Sequence, residues 1–225
     1  MKVSIHQPQY WPGLRFFAKR HVSDAFIYLD DVQFEKRGFQ NRNRIRTARG
    51  WQYLSVPVVT KGRFSQKINE VEIDNSRPWR EEHLLAIKFN YARARFFKDY
   101  LPLLESLYAM RYRTLRELAI ATVSFFVRNS LMAKRPVMFS SDLKTDETSS
   151  ARLVQLCAAI GAKEYLSGTG ARAYLEEKHF IRAGIKVSWQ EFTPREYPQA
   201  FPGFEPDMSA LDLVLNCGPR AVEWL

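Results

Sequence analysis

The sequence predicts an α/β protein built on a parallel sheet of about five strands, with a small antiparallel β insertion and a helical insertion. Three observations carry this. Strand-like and helical spacings alternate at both ends of the chain, five of the strand-like runs pass directly into short polar sequences, and the middle third has a different character. Residues 3–5 read as a first strand, 14–20 as a short helix and 25–29 as a second strand ending at Asp30-Asp31, a βαβ opening that implies parallel pairing. Residues 43–47, 51–59 and 68–73 are alternating or β-branched runs separated by Arg49-Gly50 and Lys61-Gly62, and are expected as antiparallel strands of an insertion over 32–76.

Over 77–132 the apolar residues recur at three and four, as in Leu84, Ile87 and Tyr91 and again in Leu115, Leu118, Ala119, Thr122 and Phe126. Pro102 and the Arg111 to Arg113 stretch are expected to divide this insertion into about three helices. Strand and helix then alternate again: a strand over 136–139 before Ser140-Ser141-Asp142, a helix over 150–160 closed by Gly161, and a strand over 164–166 before Ser167-Gly168-Thr169-Gly170. A helix over 171–183 closed by Gly184 and a strand over 185–189 before Gln190-Glu191 complete the pattern. The whole, 1–225, is expected as a single α/β domain. In open sheets of this kind ligands sit beyond the carboxyl ends of the strands, which is where the polar sequences fall.

At 225 residues and 46% hydrophobic, the chain is long enough for one sizeable core. No run approaches the roughly 20 apolar residues of a spanning helix, and the chain opens straight into a strand pattern, so no membrane span and a cytoplasmic location are expected. Two cysteines, Cys157 and Cys217, form neither a disulfide framework nor a metal spacing and read as buried reduced thiols. The formal net charge of +10 favours anionic partners, whether nucleic acid, a membrane surface or phosphorylated small molecules. Its densest part, from Lys36 to Arg49, interleaves Arg42 and Arg44 with Asn41 and Asn43; the arginines would compensate anionic charge and the amides would orient a substrate. A merely solvated basic face is the plainer reading of such a run.

His6 and Gln7 stand where the first strand ends, held by Pro8, whose fixed φ restricts the chain. An imidazole there can donate to a phosphate, orient a substrate or move a proton near neutral pH; a structural histidine is the competing reading. Of the pair Asp30-Asp31 only one is expected to face a crevice, taken as Asp31, since neighbours on a strand point to opposite faces. Such a carboxylate would suit Mg²⁺ together with substrate phosphates, or simply cap the next segment. Ser140 and Asp142 either cap a helix start or hold an anion, and Ser167-Gly168 either lets a ligand reach backbone amides or makes a tight turn. No Walker A ending, GxSxG elbow, HExxH or Cys-x-x-Cys is present.

Six ordered motifs resemble the WbqC-like proteins. They are His6-Gln7-Pro8-x-Tyr10-x-Pro12, Asp30-Asp31-Val32-Gln33-Phe34-x-Lys36, Asn41-Arg42-Asn43-x-Ile45, Ser140-Ser141-Asp142-Leu143, Tyr165-Leu166-Ser167-Gly168, and Leu211-Asp212-Leu213 ahead of Asn216-x-Gly218-Pro219. The resemblance covers essentially the whole chain. It brings Tyr10, Asp212 and Asn216 into the candidate substrate contacts and Lys36 beside His6, Gln7 and Asp31 as candidate catalytic groups. It implies a place in O-antigen, other surface-polysaccharide or secondary-metabolite biosynthesis, with a transferase or amide-forming ligase acting on a phosphorylated or nucleotide-linked amino sugar. A more distant similarity, to adenylate-forming ligases of the pantothenate synthetase kind, implies a Rossmann-like (HUP-like) sheet and brings ATP with Mg²⁺ into consideration. The usual His-x-Gly-His is replaced here by His6-Gln7-Pro8-Gln9. Two other readings stand beside the enzyme: an RNA-binding or aminoacyl-tRNA-using protein working through the basic run, and a non-catalytic scaffold for glycan enzymes.

Overall fold

A computed structural model describes all 225 residues. The backbone gathers into two compact units. The first comprises Met1–Gln7, Arg15–Val32 and Ala133–Thr193. It holds a five-stranded sheet of β1 (Lys2–His6), β2 (Ala25–Tyr28), β5 (Val137–Phe139), β6 (Glu164–Ser167) and β7 (Lys186–Trp189), ordered β5-β2-β1-β6-β7. Every neighbouring pair is parallel. From β1 the chain winds outward through β2 and β5, then returns and winds the other way through β6 and β7. The direction of winding therefore reverses between β1 and β6, the Rossmann-like arrangement expected from the sequence.

Strand alternation sorts the two faces of this sheet. Val3, Ile5, Ala25 and Ile27 share one core with Leu156 and Cys157 of α5 (Ser149–Ala159) and Phe180 of α6 (Glu177–Arg182). Phe26 and Tyr28 point the other way, where Phe16 of α1 (Leu14–His21) meets both at ring-centroid distances of 5.1 and 6.3 Å. The helix expected over 171–183 is shorter than its spacing suggested. Thr169–Ala171 is a 3-10 turn, and the α-helix begins only at Glu177, because the Ser150 hydroxyl takes the Glu176 N–H and holds the intervening chain as a loop.

The second unit comprises Pro8–Leu14, Gln33–Met132 and Pro194–Leu225. Its β hairpin pairs β3 (Arg42–Thr47) with β4 (Gly50–Ser55) in antiparallel register. The run over 68–73 is not the third strand expected. Lys67 N–H bonds the Glu70 carboxylate and curls Ile68–Glu70 into a 3-10 turn, leaving isolated bridges from Ile73 to Val58 and from Glu72 to Thr114. Three helices follow as expected: α2 (Trp79–Tyr91), α3 (Phe97–Ala109) and α4 (Leu115–Asn129). Their first break lies after Tyr91 and not at Pro102, which sits exposed inside α3; the carbonyl that its missing N–H leaves over belongs to exposed Lys98 and faces water. The buried helix α7 (Ala210–Cys217) ends at Gly218, whose φ is +62° and where an added Cβ would lie 2.6 Å from the Phe96 ring. Only glycine fits there.

Candidate active site

The crevice position in the first unit lies beyond β1 and β6, where the winding reverses. His6 closes β1, in register with Tyr28, and its ring meets Phe16 edge-on at 5.0 Å. Its Nδ1–H donates to the Gln7 carbonyl at 2.9 Å, which makes Nε2 the unprotonated acceptor. Burial, and then the charge of Lys19, push the imidazole's pKa down to about 3 against the single favourable bond from Gln7. His6 is therefore neutral near pH 7, a hydrogen-bond acceptor and not a phosphate-binding cation.

The cation beside it is Lys19, which the sequence reasoning did not select. Residues 16–20 of α1 are all buried, so this lysine is enclosed with its helix, and its Nζ donates to the Ile5 carbonyl at 3.1 Å. Burial lowers its pKa to about 8. An ammonium with one of three donors on a carbonyl and no carboxylate partner is prepared to accept an anion. Its signal in the sequence was the Lys19-Arg20 pair directly behind the apolar run Phe16-Phe17-Ala18, a position where a merely solvated pair is the ordinary reading. On the β6 side the Ser167 hydroxyl is buried, and the N–H groups of Gly168, Thr169 and Gly170 donate to no backbone carbonyl. Gln190, just past β7, donates to the Arg15 carbonyl at 2.8 Å and ties α1 to this end of the sheet.

Beyond β2 and β5, Asp30 and Asp31 meet the serines expected to hold a ligand. The Ser140 hydroxyl accepts the Asp30 N–H at 3.1 Å and donates to Asp31 Oδ1 at 2.5 Å, while Ser141 gives its N–H and hydroxyl to the two Asp30 oxygens. Arg152 of α5 pairs with Asp31 Oδ2 at 2.5 Å. Burial pushes the Asp31 carboxyl up, but the Ser140 hydroxyl and the Arg152 guanidinium outweigh it and hold it below the usual range. Both Asp30 oxygens thus accept from Ser141 and both Asp31 oxygens from Ser140 and Arg152, and no group of three acidic, histidine or cysteine side chains with metal-holding geometry occurs. Asp142 is exposed, its N–H on the Phe139 carbonyl, so this tripeptide caps no helix; α5 starts only at Ser149.

The remaining sequence-selected residues lie in the second unit. Tyr10 is buried in a chain of hydrogen bonds: Trp11 Nε1–H donates to the Tyr108 hydroxyl at 3.0 Å, the two phenols lie 2.5 Å apart, and Tyr10 donates to His83 Nδ1 at 2.9 Å. Only one direction satisfies every group, because the indole can only donate. Burial lowers His83 to about 4 and raises both phenols, which keeps the chain neutral. Asn41 and Asn43 spend their amides on backbone, Asn41 on the Val56 carbonyl at 2.8 Å and Asn43 on the Trp11 carbonyl at 2.7 Å. That second bond helps hold Trp11 at a φ of +44°. Lys36 is exposed with its Nζ over the Phe64 ring, and Arg42 and Arg44 lie on aromatic side chains of β4. Asp212 is fully buried under Tyr197 at 2.6 Å and Gln199 at 3.0 Å; burial raises its carboxyl more than these bonds lower it. Asn216 bonds the Asp212 carbonyl one helical turn back.

Comparison with known proteins matches residues 7–224 to the WbqC-like protein family. The chain belongs to that family. It is also 37% identical over 225 residues to the uncharacterized protein Rv1507c of Mycobacterium tuberculosis, covering all of this chain and 97% of that one. No solved structure matches it. As a WbqC-like protein, it shares the family's association with polysaccharide biosynthesis. No helix in it is long and apolar enough to cross a membrane. Both cysteines are buried and unbridged, with burial pushing Cys157 up to about 12 and Cys217 up to about 11, so neither offers a thiolate near neutral pH.

Proposed function

We propose that this WbqC-like protein is a cytoplasmic transferase or amide-forming ligase acting on a phosphorylated or nucleotide-activated amino sugar, or a related small molecule, in O-antigen, other surface-polysaccharide or secondary-metabolite biosynthesis. The observation that carries the reading is the pairing, at the winding reversal of the sheet, of a neutral His6 with a buried, carboxylate-free Lys19. Lys19 supplies the positive charge that binds the anionic group of the substrate, helped by the open N–H groups of Gly168 to Gly170. His6 Nε2 accepts a hydrogen bond from the acceptor amine and orients its lone pair on the acyl carbon; as that nitrogen bonds the carbon, the amine's proton leaves with the departing group, which takes its own electron pair. Asp31, held by Ser140 and Arg152, positions the far wall of the crevice and takes no part in the proton transfer. Positioning and fixed charge would thus supply most of the catalysis, since no activated nucleophile is present.

The experiment is a thermal-shift panel of sugar nucleotides, acyl donors and ATP on the wild-type chain and on His6→Ala. A sugar nucleotide should raise the melting temperature of both, because His6 is not the anion-binding group, while the variant should lose turnover of the substrate so found. Turnover by His6→Ala at the wild-type rate would remove His6 from the reaction. A panel in which nothing shifts the wild type would favour the scaffold reading.

A further inference from the structure

The β3–β4 hairpin carries chemistry that the crevice reading leaves unused. From Lys36 to Asn69 the chain contains nine lysines and arginines and no carboxylate. The antiparallel register sets Arg42, Arg44 and Arg46 on one face opposite Ser55, Tyr53 and Trp51. Arg42 lies 4.4 Å over the Tyr53 ring, and Arg44 lies 4.2 Å over Trp51 and 5.7 Å from Tyr53. Arg46, at the buried end, is spent on the carbonyls of Thr47, Gly50 and Pro202. Arg44 is not: its guanidinium makes no hydrogen bond or ion pair, and its Nε is buried without a partner. Trp51 stays 41% exposed beside it.

A hairpin can be stabilised by such cross-strand pairs without any ligand, each contributing up to about 1 kcal/mol. That account leaves two features unexplained. It does not require nine cations in 34 residues with no counter-charge among them, and it does not require the least satisfied guanidinium to lie on the most exposed aromatic ring of the face. Flat guanidinium groups alternating with a half-buried ring, Tyr53, and an exposed one, Trp51, match a strand whose phosphates and unstacked bases also alternate. A six-residue strand is about 20 Å long, enough for roughly three nucleotides. A duplex hides its base faces and would leave Trp51 unused. We propose that this face of the hairpin binds single-stranded nucleic acid, a base stacking on Trp51 and the flanking phosphates pairing with Arg42 and Arg44. The surface is independent of the crevice chemistry.

The test is fluorescence anisotropy of the full-length protein with a labelled oligouridylate of about twelve nucleotides, titrated in salt from about 50 to 200 mM. Binding should weaken steeply with salt and quench tryptophan emission. Trp51→Ala should weaken it roughly tenfold or more, Trp51→Phe should lose the quenching while keeping most of the affinity, and Arg44→Lys should weaken it although the charge is kept. Absence of binding at the lowest salt, variants that lower the melting temperature but leave affinity unchanged, equal affinity for duplex RNA, or equal displacement by polyphosphate or anionic lipid vesicles would each overturn the proposal.

Discussion

Lys19 is the residue at which stability and the proposed anion-binding role oppose each other. Its amine is held at a pKa of about 8 against an ordinary 10.5, so the unfolded chain binds the proton more tightly than the folded one between these values. Stability should therefore rise with pH from about 8 to 10.5 on its account, by up to about 1.4 kcal/mol for each unit of pKa shift. Lys19→Met removes the buried charge and keeps the aliphatic stem. The variant is expected to melt a few degrees higher at pH 7, to lose that alkaline rise, and to lose the stabilisation that an anionic ligand gives the wild type. An unchanged ligand response in this variant would take Lys19 out of the site. His6 shows the complementary logic: the strand end and Pro8 marked it in the sequence, but the sequence carried no sign that it would be discharged, because its burial and the nearby charge of Lys19, thirteen residues on, arise only from tertiary packing.

Among the elements, α4 has the most explicit start signal. Thr114 takes the Glu117 N–H at 3.3 Å, and the Glu117 carboxylate receives the N–H groups of Arg113 and Thr114 at 2.8 and 3.1 Å. Thr114→Ala should cost about 1 kcal/mol, read as a lower denaturant midpoint at unchanged m, with Thr114→Ser restoring most of it. All five sheet strands could be read from the sequence, because each is a short run with apolar or alternating apolar positions that passes directly into polar residues. The irregular pieces could not. The run over 68–73 has strand-like composition, but its conformation is set by one Lys67–Glu70 contact, and periodicity does not report single hydrogen bonds. The site was legible to the same degree: strand ends located Asp30, Asp31 and Ser140, but that these would bond one another depends on β2 and β5 being neighbours, a fact of topology.

For the whole molecule, two neutral histidines, His83 buried and His6 half-buried, predict acid sensitivity. His6 is lowered to about 3 and His83 to about 4 from an ordinary 6.5, so below pH 6.5 the unfolded chain gains protons that the folded chain refuses until those lower values. Their stabilisation is complete above about pH 6.5 and is lost as pH falls toward 4. Asp212, raised by burial, acts in the opposite sense and offsets part of the loss. The melting temperature should be lower at pH 4.5 than at pH 7, and His6→Gln should reduce the difference; equal melting at both pH values would contradict both histidine assignments. The central position of β1 also has a consequence for synthesis. Its partner β2 follows within about 25 residues, whereas β6, its other neighbour, emerges about 160 residues later. At ribosomal rates of 5–20 residues per second, β1 waits roughly 10–30 s with one edge unpaired. The first unit is assembled from three separated stretches, none of which holds the whole sheet, and a nascent chain stopped before Glu164 carries β1 with one edge open.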